Sequence, residues 1–375
     1  MKTLLLIVAL VAASLRGPAV AQELGSAQRA AATAQLLAGI APSPGDPVID
    51  RLAALECWKE HRRWMEAQWS QVQTRLAAME QWRGQELRVR EAPGKTLIYP
   101  FSGPDFLNAY AMAPDHAQYI FFSLERPGDL PELESQSGAQ FKQLLQDVRA
   151  ALRDIFERNY FITDYMTKQL ATPQIKGAVP VMATMMALMD LRIVRLEPVD
   201  PFPALTRAYE KAGASRPLKL LRGVHIEFIN PKRGAPQHLY YFSLDASDKA
   251  LEFYPGFLDW VGRNRPATAF LKSASYLLHD NQFTKTRDML LAAADIVIQD
   301  DTGIPYRLLA RSPWQVRLYG RYAKPIKALN YGYQPDLEAA YDRRGESPAL
   351  PFPFGYHWRS QKSGLLVATR LAKTN

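Results

Sequence analysis

Four short stretches of this chain occur twice, in the same order and about 120 positions apart, and that recurrence limits the architecture more than any other feature. Phe122-Ser123-Leu124 returns as Phe242-Ser243-Leu244, and Asn159-Tyr160-Phe161 as Asn281-Gln282-Phe283. Gly177 to Pro180 answers Gly303 to Pro305, and Val194-Arg195-Leu196 answers Val316-Arg317-Leu318. Such a period is far too long for a solenoid, so the pattern predicts a duplicated domain. The expected fold is α/β, with two tandem related halves over 85–200 and 217–345 and a helical linker over 201–216.

Within the first half the segments alternate in character. "KTLIYPFSG" reads as a buried strand, "PDFLNAYAMA" as a helix entered through Pro104, and "AQYIFFSLE" as a second strand. "AQFKQLLQDVRAALRDIFERN" is helix-periodic and "LRIVRLEPV" strand-like, which argues for an α/β body. Before the halves, 47–84 reads as a helical segment. Trp58, Met65, Val72 and Met79 stand seven apart, with Leu55, Trp69 and Leu76 in the adjacent stripe, predicting one long amphipathic helix from Ile49 to about Trp82. It would pack on the body or serve a coiled-coil partner. Residues 22–46, ending in "APSPGDP", read as a linker. After the halves, "YHWRS" and "LLVATR" flank the turn "QKSG" as a C-terminal hairpin over 346–375.

The N-terminus points to an address. Lys2, an apolar run from Leu4 to Leu15 and the small-residue end Ala19-Val20-Ala21 have the layout of a cleavable secretory signal over 1–21. The run is too short to span a bilayer, and no later stretch reads as a membrane helix. A periplasmic or extracellular location is expected. Cys57 is the sole cysteine, so stability must come from a core rather than from disulfides. The net charge is +9, or +7 without the signal, which carries Lys2 and Arg16 and no acid. A modest, dispersed basic excess favours anionic partners and speaks against nucleic acid.

Asp301-Thr302-Gly303 is the tripeptide with which aspartic proteases present a carboxylate. A two-lobed protease would need a second aspartate in the first half, yet "QIKGAVPV" holds none. The tripeptide therefore reads as a turn. In it, Asp300 or Asp301 accepts amide hydrogen bonds, Gly303 tolerates positive φ and Pro305 starts a helix. A polar loop facing a ligand or cation is the alternative.

"YPFSGPDFLNAY" reads as a strand-turn-helix junction, with Ser102 or Gly103 as cap, Pro104 in the first turn and Asp105 favoured by the helix dipole. "PGKT" at 93–96 lacks the glycine of a phosphate loop. His225 and Glu227 share a strand face as a pair of potential metal ligands without a third, so no metal or cofactor is expected. Arg317, Arg321, Lys324 and Lys327 lie among Tyr319, Tyr322, Tyr331 and Tyr333, a mixture suited to an acidic carbohydrate or to a solvated edge. Cys57 and His61, one turn apart, hint faintly at a thiol site.

"YPFSGPDF" and "QDDTGIPYR", with "YYFSLD" and "WQVRLYGRY", resemble stretches shared by a group of exported bacterial proteins. The resemblance covers most of the chain after residue 95 and implies export, but it transfers no catalytic residue. The leading expectation is binding of a polar or anionic ligand, an envelope glycan among the candidates, between two halves that differ at their loops. Ser102, Asp105, Asp300, Asp301, Tyr306, Arg317 and Arg321 are the expected contacts. A periplasmic hydrolase using the same acids, with or without a metal, and an envelope scaffold are the alternatives.

Overall fold

The computed structural model describes residues 18–87, 95–202, 221–343, 345, 347–357 and 363–371. The protein is α/β. In chain order come α1 (Pro18–Leu37), α2 (Pro47–Ala53), α3 (Glu56–Glu86), β1 (Thr96–Pro100), α4 (Phe106–Met112), β2 (Gln118–Ser123), α5 (Gly138–Arg158) and α6 (Thr163–Gln169). They are followed by α7 (Val179–Leu188), β3 (Arg192–Val199), β4 (Arg222–Ile229), β5 (Pro236–Ser243), α8 (Phe257–Gly262), β6 (Ala267–Leu271) and α9 (Thr284–Ala293). The last elements are β7 (Ala294–Gln299), α10 (Tyr306–Leu309), β8 (Trp314–Gly320), α11 (Pro335–Arg343) and β9 (Gly364–Arg370).

All nine of these strands join one sheet in the order β3-β4-β5-β2-β1-β6-β7-β9-β8. The middle five are parallel, whereas β3-β4-β5 and β7-β9-β8 pair antiparallel at the flanks. Alternation along the strands sends Leu97, Tyr99, Phe121, Phe270 and Ile298 to one face, where they meet Phe106 of α4, Phe141 of α5 and Met182 of α7. Ile98, Ile120, Phe122, Ala269 and Val297 face the other way, against Phe257 of α8 and Leu290 of α9. Strands buried on both faces read as continuous apolar runs, and β1 is buried at all five positions.

The expected long helix is two helices. Asp46 caps α2 through Val48 and Ile49 amides with Pro47 in the first turn, and Leu55 is extended, so the chain bends before α3 begins. The heptad stripe of α3 is used internally: Trp58, Met65, Val72 and Met79 are all buried in the same cluster as the α5 side chains. His61 is equally buried, with Nε2 2.7 Å from the Leu37 carbonyl and Nδ1 accepting from Arg149 Nε at 3.0 Å. Burial lowers its pKa to about 4, so it is a neutral core group, and half-buried Cys57 has no activated base in it. Residues 22–37, read as linker, belong to α1, which packs on β3 and α7. Most of the signal-like segment, 1–17, and the linker helix from 203 onward lie outside the described residues.

The two halves are interleaved rather than set side by side. β3, from the first half, sits beyond β4 and β5 of the second. β1 and β2 run parallel through α4, whereas β4 and β5 form an antiparallel hairpin. The topology therefore lends duplication no support. The C-terminal strand β9 finds its antiparallel partners in β7 and β8. Of its expected hairpin mate, Tyr356 lies in a turn, His357 has no regular structure and 358–360 fall outside the described residues.

Candidate functional site

The crossovers leaving the two central strands lie on opposite faces of the sheet: α4 after β1 with Phe106 and Leu107, and α9 after β6 with Leu290. Between β1 and β6 the direction of winding thus reverses, and at such a switch point the loops after the strands part and leave a crevice at the carboxyl edge. The loops that line it are Phe101–Asp105 after β1, Lys272–Tyr276 after β6 and Asp300–Pro305 after β7.

At the centre of this edge lies a buried ion pair. Asp105 and Lys272 are each 2% exposed, and Lys272 Nζ stands 2.9 Å from Asp105 Oδ2. The carboxylate is also a cap: Oδ1 accepts the Asn108 amide at 3.1 Å and Asn108 Nδ2 at 2.9 Å. Tyr99 OH donates to Oδ2 at 3.2 Å, and burial followed by the Asp105 charge raises the Tyr99 pKa well above its usual value. Asp105, rather than Ser102 or Gly103, thus caps α4. Buried charges need this density of partners, since an unpaired one costs several kcal/mol, roughly 3–5 when one partner is removed.

Lys272 links the first acid to Asp300. Its charge reaches Asp300, whose carboxylate accepts the Ser273 amide at 2.8 Å and the Thr302 amide at 2.9 Å. Thr302 Oγ1 in turn accepts the Ala274 amide at 2.7 Å, clasping the β6 and β7 loops together. Gln299 closes the turn by bonding both the amide and the carbonyl of Ile304. Gly303 is required there by contact, because an added Cβ would lie 2.5 Å from Gln299 Oε1, and its φ is not positive. Asp301 is half-buried and receives a short hydrogen bond from Tyr276 OH. Burial, and then repulsion from the Asp300 carboxylate, push its pKa up to about 7, so it gains or loses a proton near neutrality.

Two further features mark this edge. Six described non-glycine residues have positive φ, and five of them, Phe101, Asn159, Ser273, Ser275 and Tyr276, lie here. Asn159 is the left-handed C-cap of α5, but at the other four such strain, about 1–3 kcal/mol per residue, persists where surrounding contacts enforce it and clusters at ligand sites. In addition, Ser102 Oγ, Ser273 Oγ, Glu125 Oε2 and Asn159 Oδ1 are buried without a hydrogen-bond partner among the described residues. Buried polar atoms left unpaired are rare and call for an explanation such as an absent ligand or water.

Residues 352–357 cross the edge as a strap. Asn159 Nδ2 donates to the Pro353 carbonyl, Phe354 packs on Phe270, and Tyr356 OH donates to the Ser273 carbonyl. Gly355 lies so close to Asp300 that a Cβ would stand 2.3 Å from Oδ2. The space remaining beside Asp300, Asp301 and Arg321 is about 10 Å³, at most one water. Larger open grooves of about 820 Å³ and 700 Å³ lie between α8 and α9 and between α1 and β3. Neither is lined by a buried charge pair or by a non-glycine residue of positive φ.

Of the expected contacts, Ser102, Asp105, Asp300 and Asp301 come together at this edge. Arg321 lines the small space beside the two acids, and the Tyr306 amide is held by Gln334, whose Nε2 bonds the Asp301 carbonyl. Arg317 is exposed on the outermost strand, beside Tyr319 and Glu86 at the end of α3, away from the cluster. Sequence reading missed Lys272, Glu125, Asn159, Ser273 and Gly355. For Lys272 the signal available was a lone lysine directly after the apolar run "ATAFL". The chain matches no family model, no curated protein and no solved structure.

Proposed function

We propose that the protein is exported and binds a polar, hydroxyl-rich ligand, an envelope glycan fragment being the class favoured, at the carboxyl edge of β1, β6 and β7. The observation that carries this reading is the gathering of Asp105, Lys272, Asp300 and Asp301 with the unpaired hydroxyls of Ser102 and Ser273 at the switch point. Carboxylates accept hydrogen bonds from sugar hydroxyls, and acids outnumber cations here. A hydroxyl-rich ligand therefore suits the edge better than a strongly anionic one. Export is supported by the layout of Met1–Ala21, and among the described residues no helix is long and apolar enough to cross a membrane. The strap over Asp300 implies that the ligand enters when residues 352–357 lift.

Titrating muropeptide disaccharides and neutral oligosaccharides into the full chain, followed by calorimetry, tests the reading. Ser102→Ala and Asp301→Asn, still folded, should each weaken binding at least tenfold. Equal binding by parent and variants would remove the site. A second reading, a hydrolase, draws on Asp301, whose carboxyl titrates near neutrality beside a second acid and could give or take a proton. Turnover of such a fragment, lost in Asp301→Asn, would promote it. The scaffold reading draws less support from the stripe of α3, because Trp58, Met65, Val72 and Met79 pack within this chain.

A further inference from the structure

The antiparallel flank carries a second cluster, unrelated to the carboxyl edge. On β4, Val224, Ile226 and Phe228 point into the core, which turns His225 and Glu227 to the opposite face of the sheet. Register sets His225 opposite Tyr240 and Glu227 opposite His238 on β5, so the two histidines are diagonal neighbours. Their nitrogens meet: His225 Nε2 is 3.0 Å from His238 Nδ1. The other ring nitrogen of His225, Nδ1, is 3.2 Å from Glu197 Oε1 on β3, and the ring lies flat on Tyr240 with centroids 4.6 Å apart. His225 is buried and His238 half-buried, so solvent reaches the pair from one side.

We propose that His225 and His238 form a two-nitrogen site for a late first-row divalent ion, Cu²⁺, Ni²⁺ or Zn²⁺, with Glu197 orienting His225 and water completing the shell. Two imidazole nitrogens each about 2.0–2.1 Å from one ion, at a tetrahedral or right angle, stand roughly 3.0–3.4 Å apart, and the observed separation lies in that range. With Nδ1–H held by the Glu197 carboxylate, a recurring support for metal-bound histidine, His225 Nε2 carries a lone pair, and the ion takes the place of the proton shared with His238 Nδ1, which moves to His238 Nε2 or to solvent. Imidazole donors suit these ions and disfavour Mg²⁺ or Ca²⁺. Glu227 beside His238 adds negative charge, while Arg195, ion-paired to Glu197, offsets part of it. Among the described residues no group of three or more His, Cys, Asp or Glu is disposed around one point. The site is therefore two-pronged and its ion exchangeable. Two donors of the right type at the right separation, one of them already braced, are what carry the assignment.

The test is calorimetric titration of CuCl₂ and of ZnCl₂ into full-length, untagged protein at pH 7.5. One ion per chain with micromolar affinity, reversed by EDTA, is expected. His238→Ala should lower affinity at least tenfold. Glu197→Gln should lower it about tenfold without removing a donor. His238 is the more exposed of the pair, so its variant stays interpretable even where His225→Ala lowers stability. Absence of uptake by the parent, or uptake unchanged in His238→Ala, would overturn the proposal and leave the pair as a hydrogen bond only.

Discussion

At the amino edge of the parallel strands, buried His116 meets Thr268 Oγ1 at 3.0 Å, and Gln237 Nε2 donates to the carbonyls of Pro114 and His116. Tyr119 OH reaches the Ala113 carbonyl at 2.6 Å. Burial, then the charges of Lys95 and Arg83, lower the His116 pKa to about 3, so this network is neutral and paired. At the carboxyl edge of the same strands the buried groups are charged, some hydroxyls have no partner, and the backbone is left-handed at five non-glycine positions. The difference separates two uses of buried polarity. Satisfied neutral groups specify a structure, while charged and unsatisfied ones hold potential for binding that the folded chain does not itself consume.

Substitutions at the two edges can break that contrast. The largest effect is expected from Lys272→Met, which strands the Asp105 carboxylate and should destabilise by about 3–5 kcal/mol in a urea titration. A loss below about 1 kcal/mol would mean the pair is not dry. Gly355→Ala must place a Cβ against Asp300 at a φ of +71°, so a cost of about 2 kcal/mol is expected, together with faster exchange of amides in the strap. An unchanged melting temperature would show that the strap yields freely. His116→Leu, at the other edge, should cost about 1–2 kcal/mol by leaving Thr268 unpaired, and should leave ligand affinity untouched.

Protons give a subtler comparison. The folded-state pKa of Asp301 is raised from 3.8 to about 7, so between those values the native state holds more protons than the unfolded chain. Its contribution to stability is therefore present below about pH 4 and is lost as pH rises through about 7. Asp300 is shifted in the same direction. Asp301→Asn should flatten the decline in stability between pH 4 and 8, and a profile identical to the parent's would refute the raised pKa. The smallest change belongs to Ser102→Ala. Its hydroxyl has no partner, so stability should move by no more than about 0.5 kcal/mol while ligand binding falls.

Much of the carboxyl edge was legible in the sequence because strand ends announce themselves. "TLIYP" and "ADIVIQ" run straight into turn residues, and acids in such turns gave Asp105, Asp300 and Asp301. Lys272 was not legible, because a lysine after an apolar strand ordinarily marks the return to solvent, and its partner Asp105 lies 167 residues away in sequence. Strand order was equally hidden, since it follows from which face each crossover takes. The repeated Phe-Ser has a local explanation: Phe122 and Phe242 are register partners and each packs edge-on against Phe257 at 5.4 Å. Neighbouring strands under one helix share surroundings that favour similar residues, so this stretch alone does not require a copied domain.

The interleaved strand order also governs how the chain can be assembled. β1 and β2 emerge early, yet the strands that border them, β6 and β5, are made more than 110 residues later. Until residue 243 has been synthesised, the future middle of the sheet is a two-stranded ribbon open along both sides, and its β1 side stays open until residue 271. Such a ribbon presents unpaired edges to other chains, and the sequence distance between its strands and their partners raises the contact order, which slows folding.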